Sequence, residues 1–141
     1  MNWYRNWYRN WYWAVFSKGT QFDGRSRRKE FWMFGFLNAL IILALFVEGL
    51  AAFGTTEHPD SVEAALFIPL ALYILATIIP SLAITVRRLH DTGKSGWMIL
   101  LCLIPKVGGI ILLAFMVLDS DPGPNQYGSN PKLAKPSDDI G

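Results

Sequence analysis

Ala64-Ala-Leu-Phe-Ile-Pro-Leu-Ala-Leu-Tyr-Ile-Leu-Ala-Thr-Ile-Ile-Pro-Ser-Leu-Ala-Ile-Thr-Val86 is a run of 23 residues without one charged side chain. A bilayer's hydrocarbon core is about 30 Å thick, and a helix rising ~1.5 Å per residue needs about 20 apolar residues to cross it. The run is long enough. It does not alternate apolar with polar residues, as a membrane β-strand would, so it reads as a helix. Two similar stretches flank it. Phe31 to Val47 is free of charge, with Glu48 the one charged residue before Phe53, and Trp97 to Leu118 is interrupted by Lys106 alone.

Composition agrees with this reading. The chain has 141 residues, 52% of them hydrophobic and 17% charged, against roughly 25% charged in ordinary soluble domains. The expected fold is an all-α membrane protein. Residues 1–30 form a cytoplasmic aromatic and basic interfacial segment. Residues 31–118 form a three-helix transmembrane domain with spans at about 31–53, 64–86 and 97–118, and 119–141 is a Pro/Gly/Asn-rich tail. The third run contains Pro105-Lys106-Val107-Gly108-Gly109, which offers an alternative in which the chain turns back within the membrane. A plain span is the expectation, because neither half is long enough to cross alone.

Orientation follows the short flanks, since Lys and Arg favour the cytoplasmic side. Arg5, Arg9, Lys18, Arg25, Arg27, Arg28 and Lys29 precede the first run, and Arg87, Arg88 and Lys94 follow the second. The intervening 54–63 loop holds Glu57, Asp60 and Glu63 and no Lys or Arg. The N-terminus and the second loop are therefore expected inside and the first loop outside. Three plain spans would leave the tail outside.

At the N-terminus Asn-Trp-Tyr-Arg occurs at 2–5 and again at 6–9, and a third copy begins at Asn10. A four-residue step overshoots one helical turn by about 40°. An N-terminal interfacial amphipathic helix would thus carry Trp3, Trp7 and Trp11 as one strip, with Arg5 and Arg9 opposite. Such a helix suits the headgroup layer. Arg27, Arg28 and Lys29 join these tryptophans as expected lipid-interface anchors, drawn to anionic lipid headgroups. Glu30 is out of place among them unless a cation holds it. Antiparallel packing of the first two spans would set it beside Arg88, so a Glu30–Arg88 ion pair is expected.

Tyr73, Thr77, Ser81 and Thr85 recur every four residues along the second run. They form a polar strip that either meets a neighbouring helix or a crevice, or bonds back to its own helix. Gly93-Lys94-Ser95 looks like part of a phosphate loop, but Arg88 stands where the earlier glycine must be and no strand precedes it. His90-Asp91 could orient an imidazole, yet no nucleophile is placed to use it. His58 and His90 fall on opposite sides of the membrane, which disfavours a metal site. Asp119 and Asp121 lack the remaining ligands of a calcium loop. Cys102, the lone cysteine, reads as a packing residue. No catalytic residue, cofactor or metal is expected, and a net charge of +2 gives no footprint for nucleic acid.

Gly24-Arg-Ser-Arg-Arg-Lys-Glu-Phe-Trp32, Pro80-Ser-Leu-Ala-Ile-Thr-Val-Arg-Arg-Leu-His-Asp-Thr-Gly-Lys-Ser-Gly-Trp97 and Asp119-Ser-Asp-Pro-Gly-Pro-Asn-Gln-Tyr-Gly-Ser-Asn-Pro-Lys132 occur in this order around the apolar runs. They closely resemble the YhaH/YhaI-type bacterial inner-membrane proteins, domain-of-unknown-function family 805, over roughly residues 10 to 133. The resemblance implies a multi-span inner-membrane protein and transfers no activity or catalytic residue. The expected role is assembly, as a homo-oligomer or with other membrane proteins. The alternative is a subunit of a small oligomeric transporter or channel, and an enzyme is not expected.

Overall fold

The computed structural model describes residues 15–53 and 67–133. Trp3, Trp7 and Trp11, the expected interfacial helix, the whole of the 54–63 loop and residues 134–141 of the tail lie outside the described residues. Among those described the elements are helix α1 (Arg28–Phe53), helix α2 (Ile68–Asp91), a 3-10 helix (Gly96–Leu103) and helix α3 (Gly108–Val117), with no strand.

Helices α1 and α2 run antiparallel. At one end Phe46 packs on Phe67, ring centroids 6.3 Å apart, and Gly49 lies so close to the Phe67 ring that a Cβ would sit 2.8 Å from it. At the other end the Ser26 N–H donates to the Arg87 carbonyl at 3.1 Å. Between them a small apolar core gathers Val15, Phe34 and Ile84, with Phe16 and Phe31 packed against it. Pro80, inside α2, cannot donate a backbone bond and its ring crowds the preceding turn. Gly19, from the segment before α1, comes up against that proline: a Cβ there would lie 3.1 Å from Pro80 Cγ.

The third apolar run departs from the expected single span. It is a 3-10 helix of eight residues and an α-helix of ten, joined by a turn in which Lys106 takes φ 69°. Gly108 makes the turn possible, because a Cβ on it would stand 1.6 Å from the Leu101 carbonyl oxygen. At ~2.0 Å per residue the 3-10 arm is about 16 Å long, and at ~1.5 Å per residue α3 is about 15 Å. Each arm is about half as long as a 30 Å hydrocarbon layer is thick. Both ends of the hairpin meet the same end of α2. Gly96 approaches Val86 and His90, while the Asp121 N–H donates to the Asp91 carbonyl at 2.9 Å. The tail therefore returns to the same end of α2 as the 92–96 loop, and the third apolar run is a broken hairpin where one continuous helix was expected. Pro105, the left-handed Lys106 and, two residues on, Gly108 stop the helix, and backbone bonds within the hairpin hold the turn.

Burial is inverted relative to a soluble protein. Arg88 and Asp91 are fully buried, whereas Phe36, Leu72, Leu75, Leu103 and Ile110 are each more than 60% exposed. Within their most apolar windows just 11% of α1 and 22% of α2 is buried. Soluble proteins do not leave so much contiguous apolar surface in water, and two helices of this length and hydropathy suit lipid.

Candidate functional site

The charged end of α2 is built around Asp91. A carboxylate in a helix's last turn faces the negative end of the helix dipole, and this one is 0% exposed, so it needs cations. Two supply them. Arg88, one turn back on α2, donates from Nη1 to Asp91 Oδ2, and Arg25, from before α1, donates from Nε to Asp91 Oδ1 at 3.0 Å. The Ser120 hydroxyl adds a bond to Oδ2.

Arg25 is the most heavily committed side chain. Besides the Asp91 carboxylate it reaches the Gly123 carbonyl at 2.8 Å, Asp121 at 2.9 Å, and Gly128 and Asp91 each at 3.3 Å. A guanidinium has five N–H donors, and here five acceptors meet them. Arg88 in turn binds the Met116 carbonyl at 3.4 Å and the Leu118 carbonyl, satisfying carbonyls that the end of α3 leaves without helical partners. Three parts of the chain distant in sequence are thereby closed onto each other.

The tail is folded to fit this clasp. Asn125 and Gly128 exchange backbone bonds at 3.0 Å, with Gly128 at φ 126°, and Asn125 Oδ1 accepts from the Tyr127 N–H at 2.9 Å. That turn lays the Tyr127 ring on His90, centroids 3.7 Å apart and planes 4° from parallel. The other edge of the imidazole faces the Gly24 carbonyl, 3.3 Å from Nδ1. Asn125 Nδ2 donates to the His90 carbonyl at 2.9 Å, and Asn130 Nδ2 to the Asp121 carbonyl at 2.9 Å. Gly93 takes φ +68°, and a Cβ there would lie 2.5 Å from Asp121 Oδ2. Outside the clasp, the Lys132 ammonium and the Ser120 N–H hold the Asp119 carboxyl below the usual carboxylate range. This exposed pair adds little stability.

The expected Glu30–Arg88 ion pair does not form. Both residues lie at this end of the bundle, but Glu30 Oε2 accepts from the Ser26 hydroxyl at 2.9 Å and the Arg27 N–H at 3.1 Å. It caps α1, whose N-terminal N–H groups favour a carboxylate. Arg88 finds Asp91 three residues along its own helix, a closer competitor. Arg27 is half-buried and donates from Nη2 to the Pro131 carbonyl, so it serves the clasp, while Arg28 and Lys29 stay exposed. Lys94 lies over the Phe115 ring, 5.6 Å from its centroid.

The polar strip of α2 divides. The Tyr73 hydroxyl crosses to Asn38 Oδ1 on α1 at 2.7 Å. Thr77 bonds back to the Tyr73 and Ile74 carbonyls at 2.9 and 3.1 Å, and Thr85 to Ser81 at 2.6 Å. Sequence reasoning passed over Asn38, Arg25 and the tail asparagines. Asn38 had a signal, a lone amide in a charge-free run. Arg25 had none, being one of several arginines in a basic stretch.

The family described as "Protein of unknown function (DUF805)" matches residues 19–129, a span that takes in Arg25, Arg88, Asp91, Asn125 and Tyr127. The chain belongs to this family. It is 38% identical over 135 residues to "Inner membrane protein YhaI" of Escherichia coli strain K12, covering 94% of this chain and 98% of that protein. It is likewise 38% identical over 133 residues to "Inner membrane protein YhaH" of the same strain, with the same shares covered. No solved structure matches. With two span-length apolar helices and relatives named for the inner membrane, this DUF805 protein is a membrane protein.

Proposed function

We propose that the chain is a multi-pass protein of the bacterial inner membrane, N-terminus cytoplasmic, that acts through assembly or partner binding and not through catalysis. The observation that carries this reading is the clasp. The motif stretches 24–32, 80–97 and 119–132 supply charged and amide groups that bond chiefly to one another and to backbone carbonyls. Such a network fixes shape, and a fixed polar platform flanked by exposed apolar helices suits docking within and beside the bilayer. Arg28 and Lys29 remain exposed at the platform's edge, where anionic headgroups attract cations. By the distribution of Lys and Arg the platform faces the cytoplasm, and the tail is cytoplasmic with it.

A second reading, a subunit of a small oligomeric transporter, draws on the half-crossing hairpin. Broken backbone at membrane depth commonly lines cavities. The back-bonding of Thr77 and Thr85 weakens it, since those hydroxyls are spent on their own helix.

Both parts are testable. With Cys102→Ser as background, an impermeant thiol reagent on intact cells should label Thr55→Cys but neither Ser95→Cys nor Ser137→Cys. Labelling at 137 but not 95 would restore a third crossing. Light scattering of the full chain in nanodiscs and mild detergent should find a defined oligomer or a bound stoichiometric partner. A monomer under all conditions, with nothing co-purifying, removes the assembly reading.

A further inference from the structure

Between α1, α2 and the hairpin lies an open crevice of about 410 Å³, walled by apolar side chains such as Ile42, Ile78 and Leu112 and reached by Asn38, Ser81 and Cys102. Concave, mostly apolar sites of roughly 300–1,000 Å³ with a few placed polar groups are the usual form of small-molecule sites, and helix bundles hold them between helices. The polar groups here are unequally used. Thr77 and Thr85 donate to carbonyls of their own helix, and Asn38 Oδ1 accepts from Tyr73. The Asn38 amide N–H groups and the Ser81 hydroxyl donate to nothing among the described residues. Amide donors in hydrocarbon are costly when unmet, so the crevice is complementary to a hydrogen-bond acceptor on an apolar body.

Depth narrows the class. Asn38 stands seven residues beyond Phe31, where the apolar run begins, about 10 Å along the axis and a third of the way through a hydrocarbon layer about 30 Å thick. Phospholipid ester carbonyls are tied to glycerol at the edge of that layer, about 10 Å away, and are held out of it. The acceptor must belong to a molecule free to dissolve in the bilayer core. A second copy of the chain would have to push a convex, acceptor-bearing side chain into the concavity, a harder match than a small molecule.

We propose that this crevice binds a membrane-dissolved, carbonyl-bearing apolar molecule of the quinone class, a carbonyl of it accepting from Asn38 Nδ2, with Ser81 Oγ a second donor further along the same crevice. The inference goes beyond assembly and stands whether or not the chain oligomerises. The test is equilibrium retention of radiolabelled ubiquinone-2 by the full chain in phosphatidylcholine nanodiscs, with empty discs as the partition baseline. Saturable binding near one probe per chain is expected. Asn38→Leu should weaken it about ten-fold, the worth of one hydrogen bond, and Ser81→Ala by less. Ile78→Trp, which fills the slot and leaves both donors intact, should abolish it. Circular dichroism and protease resistance of the tail identify variants that keep the fold, and Ile78→Trp decides the matter if Asn38→Leu does not. Retention no greater than in empty discs overturns the proposal. So does binding that folded Asn38→Leu leaves unchanged, competition by n-decane equal to that by unlabelled quinone, or a crevice occupied by a second copy that excludes the probe.

Discussion

The two halves of this molecule invert each other's chemistry. At the clasp the buried groups are Arg25, Arg88 and Asp91, and among the described residues no buried side-chain nitrogen or oxygen lacks a hydrogen-bond partner. Along α1 and α2 the exposed groups are Leu, Ile and Phe, and side-chain bonds between the helices are few. The difference follows from solvent. In lipid an apolar surface gains nothing from being covered by protein, so the helices need no large core. Where the chain leaves the hydrocarbon, charges can be held close, provided each has a partner. Tertiary order is therefore concentrated at one end, and substitutions should be felt unequally.

Asp91→Asn should have the largest effect. It leaves two buried guanidinium groups without a counter-charge, a loss of about 3–5 kcal/mol, read as a fall in melting temperature by circular dichroism in nanodiscs. A loss under about 1 kcal/mol would mean that water reaches the clasp and that the contrast between the halves is overstated. Gly108→Ala comes next, at about 2–3 kcal/mol, because its Cβ collides with the Leu101 carbonyl. A plain third span predicts the opposite sign, since alanine improves a helix over glycine by about 1 kcal/mol. The same melting experiment thus separates hairpin from span.

Arg25→Lys tests whether the clasp depends on charge or on shape. Lysine keeps the charge but has three donors on a point-like head where the guanidinium places five in a plane. A loss of about 1–2 kcal/mol is expected, with faster tryptic cutting at Lys132 as the tail loosens. Unchanged cutting would assign the clasp to electrostatics alone. The smallest effect belongs to the other half. Leu75→Ala, on a side chain 63% exposed, should shift stability in bilayers by less than about 0.5 kcal/mol. A shift above 1 kcal/mol there would place Leu75 in a protein contact and point to the face through which copies or partners dock.

What the residues alone settle is the class of structure. The charge-free runs at 31–47 and 64–86 announce helices in lipid, because a hydrocarbon layer admits few other solutions. The resemblance carried by the three motif stretches reaches the family on its own. The third run is ambiguous at that level: Pro105 and the paired glycines allow a hairpin, and hydropathy cannot separate two half-crossings from one crossing. That choice needed the other end of the hairpin, where Arg88 takes the Met116 and Leu118 carbonyls. Glu30 likewise has two suitable destinies, an ion pair across helices or a cap on its own, and local geometry awards it to Ser26 and Arg27. The partner of Arg88 went to Asp91 for the same reason, since the nearest carboxylate wins once both are withdrawn from water. Arg25 is beyond any local reading. Its five acceptors come from residues 91 to 128, and no spacing rule links a basic residue to carbonyls some seventy to a hundred positions away. Periodicity and hydropathy are properties of neighbours along the chain, whereas the clasp is a property of where the chain returns.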